Sequence, residues 1–204
     1  MTIADPGFAH RFEPGTDARF TLLVLHGTGG DENDLVPLAQ RVAPGAAILS
    51  PRGRVLENGM PRFFRRLAEG VFDEPDLIER THELARFVRE AAASYAFDPT
   101  RVVALGYSNG ANVAASLMLL EPGVLAGGVL LRAMPPLTPP SAPDLSTTRA
   151  LIAAGRHDPY SRRAEELATS LRGYGAKVDL RWMEAGHELT PADLAAAREW
   201  LAAL

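Results

Sequence analysis

The sequence has no cysteine, a single lysine (Lys177) and no surplus of positive charge. Without thiols there can be no disulfide framework, no thiolate nucleophile and no thiolate metal site. A formal charge of −4 and a pI near 5.7 remove the basic surface that a nucleic-acid partner requires. No uninterrupted apolar run reaches the roughly 20 residues needed to span a membrane. The residues before Arg19 lack a basic segment followed by an apolar one, so no secretory leader is read there and a cytoplasmic protein is expected. Nothing in the sequence calls for a cofactor or a metal ion, and a monomer or homodimer is expected. The basic side chains other than Lys177 are all arginine. Together with abundant alanine, this reads as compositional bias, with the arginines solvated.

What is present is a chain of 204 residues, 47% of them hydrophobic, long enough for one domain with a substantial core. Residues 8–13 read as a short edge strand. Near-continuous apolar runs at 20–25, 46–50, 101–105, 128–133 and 150–154, with a further strand at 178–182, alternate with helical patterns. The runs have the composition of strands covered on both faces. The helices are expected from Asp31 to about Val42, over 75–95, after Ser108, over 162–172 and from Pro191 to Leu201. Strands alternating with helices predict an α/β fold with a mostly parallel central sheet and helices on both faces. Two segments break the alternation. Residues 51–72 read as a long irregular loop, and 134–143 is too rich in proline to become a helix, so no helical lid is expected.

The most informative stretch is Gly106-Tyr107-Ser108-Asn109-Gly110, which joins an apolar strand to a helical pattern. G-x-S-x-G in that context is the nucleophile elbow, a turn so tight that glycines are needed on both sides of the serine. The helix that follows directs its N–H groups and its dipole toward any negative charge forming beside Ser108. In a parallel sheet, reactive groups collect beyond the carboxyl ends of the strands. Three other segments end there: His26-Gly-Thr-Gly-Gly30, the turn at Asp158 and the turn at His187. The order serine, acid, histidine is the order of α/β-hydrolases.

Acyl transfer assigns the roles. A serine hydroxyl needs a base to accept its proton; imidazole is the side chain suited to that role at neutral pH, and His187 supplies one. Asp158 would orient that ring and stabilise its protonated form, with Asp144 and Asp179 as the alternative acids. The N–H groups of Thr28 and Asn109 would hold the oxyanion; as main-chain donors they matter more than the side chains at those positions. Met60, Phe63 and Phe64 from the long loop, facing Met134 and Leu137, are expected to wall a shallow apolar acyl cleft. Arg65, Arg66 and Arg132 could attract an anion.

Leu25-His-Gly-Thr-Gly-Gly, Glu57-Asn-Gly-Met, Gly106-Tyr-Ser-Asn-Gly, the Gly155–Asp158 turn and Gly186-His187 occur together in this order across nearly the whole chain. In this the sequence resembles the phospholipase/carboxylesterase family of α/β-hydrolases, which includes the acyl-protein thioesterases. Residues 51–66 and Leu131-Arg-Ala-Met134 resemble its bacterial MhqD-like branch. Pro135-Pro136 departs from the valine-proline usual there, and the amino-terminal strand pair is shorter than the family often has. The resemblance implies esterase activity with Ser108, Asp158 and His187 as the triad. The expected function is a serine carboxylesterase for small, short- to medium-chain esters. Thioesters or lysophospholipids are the alternative substrates, and a catalytically silent binding scaffold is the alternative from another class.

Overall fold

The structure is a computed structural model and describes residues 7–204. Residues 1–6, part of the stretch in which no leader is expected, lie outside the described residues. Among those described, seven strands form the central sheet. In chain order they are β1 (His10–Glu13), β2 (Asp17–Leu25), β3 (Ala46–Pro51), β8 (Val102–Tyr107), β9 (Gly127–Leu131), β10 (Arg149–Gly155) and β11 (Lys177–Met183). Their order across the sheet is β1-β3-β2-β8-β9-β10-β11, parallel except for the edge strand β1, which runs antiparallel to β3. The central strands are buried along almost their full length, which is why they read as continuous apolar runs.

Successive strand side chains point to opposite faces, and two cores result. Leu23 and Leu25 of β2, with Val102 and Ala104 of β8, face one core. It is closed by α2 (Glu74–Tyr95), α3 (Asn109–Leu120) and α4 (Ala164–Gly173). Leu22, Val24, Val103 and Leu105 face the other, under α1 (Val36–Val42) and α5 (Pro191–Ala202). Each fully buried leucine contributes on the order of 1.5–3 kcal/mol, and both faces are filled by them.

Two elements differ from the sequence reading. The expected helix from Asp31 begins only at Val36, with Pro37 in its first turn. Asp31 instead closes a turn, accepting from Asn33 N at 2.8 Å. The expected loop at 51–72 is two hairpins. β4 (Val55–Glu57) pairs with β5 (Met60–Arg62), and β6 (Arg66–Ala68) pairs with β7 (Val71–Phe72). The first turns on Asn58 and Gly59, both at positive φ (52° and 79°), the two-residue combination that favours a hairpin. That signal was present in the sequence. The proline-rich connection 134–143 contains no helix, and no lid element follows β9.

Close approach at the elbow requires two glycines. A Cβ on Gly110 would lie 2.1 Å from the Leu25 carbonyl oxygen of β2, and one on Gly106 would lie 2.7 Å from the Gly110 oxygen. Both contacts are with backbone, which cannot rotate away. Gly173, at the end of α4, has nothing within 4 Å of such a Cβ. Gly110→Ala is therefore expected to destabilise the fold by at least about 1–3 kcal/mol. Gly173→Ala should be neutral or stabilising by up to about 1 kcal/mol. Urea unfolding midpoints of the two variants check this; equal midpoints would contradict the packing described.

Candidate active site

Ser108 sits between β8 and α3 with φ 52° and ψ −114°, a strained conformation for a non-glycine residue. Its N–H donates to Leu131 O (2.9 Å) and its C=O accepts from Asn112 N (3.0 Å), so strand β9 and the first turn of α3 hold the turn from both sides. The hydroxyl projects from the carboxyl end of the sheet and lies 2.9 Å from His187 Nε2. His187 Nδ1 in turn lies 2.9 Å from Asp158 Oδ2. With the ring proton on Nδ1, donated to Asp158, Nε2 is free to accept from Ser108.

Asp158 is buried, and each of its oxygens is held. Oδ2 also accepts from Ser161 Oγ (2.9 Å), and Oδ1 accepts from Tyr160 N (2.9 Å). Ser161 is a supporting residue that the sequence reading passed over; a serine three residues after a candidate acid is the signal. The competing acids lie elsewhere. Asp144 caps an exposed turn through Ser146 N, and Asp179 pairs with Arg181 on β11 at 2.8 Å. His157 is exposed and faces Glu184 rather than Asp158. Among the described residues no group of three histidines or carboxylates is placed to hold a metal ion.

The loop after β2 brings Thr28 beside Ser108, and both border the same cleft. Gly29 and Gly30 spend their N–H groups on Pro61 O (2.9 Å) and Gly27 O (3.1 Å). Among the described residues the N–H groups of Thr28 and Asn109 bond no other protein group. The side chains at both positions are engaged as well. Thr28 Oγ1 accepts from the Nη1 of Arg62 (2.6 Å), and Asn109 Oδ1 accepts from Phe63 N (2.7 Å). The β4–β5 hairpin is thus tied to both loops. Behind them, His26 is fully enclosed, with Nδ1 donating to Gly27 O (2.6 Å) and Nε2 accepting from Gly53 N (2.9 Å). Burial holds its pKa below the usual histidine value, so it is neutral and structural at pH 7.

Arg132, expected to be solvated, is also corrected. It follows β9 at φ 59°, its side chain has no exposed surface, and it forms a bidentate pair with Asp193 of α5 (2.7 and 2.9 Å). Burial disfavours the charged form of Asp193, but its hydrogen bonds to Arg132 and Thr190 outweigh this and lower its pKa. The same guanidinium donates to Gly186 O (2.9 Å) and Glu188 O (2.7 Å), the carbonyls on either side of His187. Tyr107 adds a third tie, its hydroxyl donating to His187 O (2.9 Å). The histidine is therefore carried on a loop pinned at three consecutive carbonyls.

The cleft above Ser108 has a volume of about 250 Å³ and is bordered by Met134, Phe72, Tyr107 and Tyr160 as well as by arginines. Of the expected walls, Met134 lies there. Phe63 and Phe64 do not: they are buried, Phe63 against His26 (centroids 4.7 Å) and Phe64 edge-on to Phe72 (5.0 Å). Met60 packs near Gly29 with 40% of its surface exposed, and Leu137 borders a neighbouring depression that Met134 shares. Phe63 and Phe64 lie in the link between the two hairpins and pack inward there, while Met60 sits beside the exposed turn of the first. Arg65, also considered for anion attraction, is engaged by Asp73 and Asp76.

The Thr28–Arg62 bond can be tested directly. Thr28→Val keeps the main-chain N–H but leaves a buried guanidinium N–H unpaired, which should cost about 1–3 kcal/mol of stability. Thr28→Ser should restore most of it. Urea unfolding of the two variants reads the difference, and a valine variant as stable as serine would mean the bond carries no weight.

No family model matches the chain. MhqD of Bacillus subtilis (strain 168) is 48% identical over 193 residues, covering 94% of this chain and 96% of the relative. The Bacillus cereus carboxylesterase superposes with a TM-score of 0.95 at 48% identity, covering 98% of this chain and 96% of that one. A carboxylesterase from Mesorhizobium loti gives 0.93 at 40% identity, covering 98% and 97%. Similarity of this extent, on a sheet and elbow of this design, establishes that the chain is a hydrolase belonging to the phospholipase/carboxylesterase family of α/β-hydrolases.

Proposed function

We propose that the protein is a serine carboxylesterase that cleaves small, short- to medium-chain esters through Ser108, His187 and Asp158 by way of an acyl-enzyme. The observation that carries this reading is the continuous chain from Ser108 Oγ through the His187 ring to the buried Asp158, with both links at 2.9 Å. In the first half-reaction Ser108 Oγ attacks the ester carbonyl while His187 Nε2 takes its proton. The oxyanion that forms is received by the N–H groups of Thr28 and Asn109, reinforced by the amino-terminal end of α3. His187 then protonates the departing alcohol. Water, deprotonated by the same imidazole, attacks the acyl-enzyme and releases the acid. Asp158 stays ionised throughout and stabilises the imidazolium.

The size of the cleft favours small acyl groups. At about 250 Å³ it lies just below the usual range of ligand sites, roughly 300–1,000 Å³, and among the described residues no lid stands over it to extend a tunnel. Each added methylene gains about 0.8 kcal/mol only while it is buried. The expected kcat/KM for 4-nitrophenyl esters therefore peaks at short to medium chains. A profile still rising at palmitoyl would overturn the size assignment.

Mutagenesis tests the chemistry. Ser108→Ala and His187→Ala should each lower kcat by roughly 10⁶, Asp158→Ala by less, and the serine–histidine double variant by little more than either single one. A fluorophosphonate probe should label the parent at Ser108 and leave Ser108→Ala unlabelled. Absence of labelling in folded parent protein removes the serine-hydrolase reading altogether.

A further inference from the structure

The cleft wall carries three arginines, Arg62, Arg66 and Arg132, and among the described residues no carboxylate borders it. Their counter-charges lie behind them, and they do not balance. Arg132 is neutralised by Asp193. Arg62 and Arg66 share one partner, Glu57: Arg62 Nε approaches Glu57 Oε2 at 3.2 Å, and Arg66 Nε donates to Glu57 Oε1 at 2.9 Å. One cation is left over. Arg62 is almost fully enclosed, its Nε–H donating to Phe64 O and its Nη1 to Thr28 Oγ1. Arg66 has 24% of its side chain exposed, and among the described residues its terminal nitrogens have no hydrogen-bond partner. The other acid nearby, Glu69, is exposed and meets the Tyr160 hydroxyl. A planar guanidinium fork with free terminal donors at the edge of a partly enclosed cleft matches a carboxylate, which accepts two parallel N–H bonds from it.

We infer that Arg66 is a specificity-determining residue and that the preferred substrate is an ester carrying a free carboxylate on one of its two halves. This rests on the esterase reading above and adds a charge to it. The ester carbonyl would lie at Ser108 while the second carboxylate pairs with Arg66, and cleavage itself follows the same steps. The surplus charge is what selects: a neutral ester of equal length leaves the Arg66 donors to water, whereas an anionic one gains charge-assisted hydrogen bonds to them.

The test uses two matched pairs. Mono(4-nitrophenyl) glutarate against 4-nitrophenyl pentanoate places the charge on the acyl half. 4-Acetoxybenzoate against its methyl ester places it on the leaving half. After subtraction of the uncatalysed rates, the parent should prefer the anionic member of at least one pair. In Arg66→Gln that preference should fall about tenfold, and Arg66→Lys should keep part of it. Glu57→Gln acts in the opposite sense, since it frees a second cation, and should raise the preference. Raising salt from about 50 to 500 mM should lower it in the parent. Titration of Ser108→Ala with glutarate reads the subsite without any catalysis, with binding expected in that variant and about tenfold weaker when Arg66→Gln is added. Hydrolysis of neutral esters with no glutarate binding, or preferences unchanged in both Arg66→Gln and Glu57→Gln, overturns the inference. Glutarate binding in a parent that hydrolyses none of the four esters would instead count against the esterase reading and leave the subsite standing.

Discussion

Everything at the candidate site depends on how closely α3 approaches the sheet. The helix begins at Asn109, one residue after β8 ends at Tyr107, and the chain can reverse there only because Gly110 packs against the Leu25 carbonyl of β2 and the His26 carbonyl just past it. That contact leaves a single residue for the turn, and Ser108 takes it at positive φ. The strain of about 1–3 kcal/mol is held in place by hydrogen bonds on either side, and the two filled cores offset it. A serine so placed stands clear of the sheet, at the amino-terminal end of a helix whose first N–H groups have no helical partner.

The arginines of this protein are not one population. Most lie at the surface in exposed pairs worth little individually. Arg132 is enclosed, with its guanidinium divided among Asp193 and the backbone around His187. Such a pair contributes less to net stability than its geometry suggests, because both charges leave water to form it. What it does is locate a loop. The carbonyls flanking a histidine have no regular secondary structure to hold them, and a buried five-donor side chain supplies what a ladder would. Arg62 has the same relation to the loop at Thr28, so each of the two loops that meet Ser108 is held by a buried guanidinium.

The sequence by itself determined the sheet, most of the helices and the order of the serine, acid and histidine. These are local signals: apolar runs of strand length, helical spacing, and a glycine-bounded serine between them. Some of what was misread was also local. Asn58-Gly59 is a hairpin turn by its residue types, yet the stretch around it reads as a loop because its strands are only three residues long. Tertiary structure alone decided which side chains border the cleft. Phe63 and Phe64 have the composition of an acyl pocket, yet in the link between the two hairpins they pack into the core, while Arg62 and Arg66 border the cleft at Ser108. Equally, nothing in the spacing of Arg132 and Asp193, or of Glu57 with its two arginines, says that they pair. The physical reason is that a strand or helix pattern reports which face of an element is apolar, whereas the charge balance of a cleft depends on contacts between segments far apart in the chain.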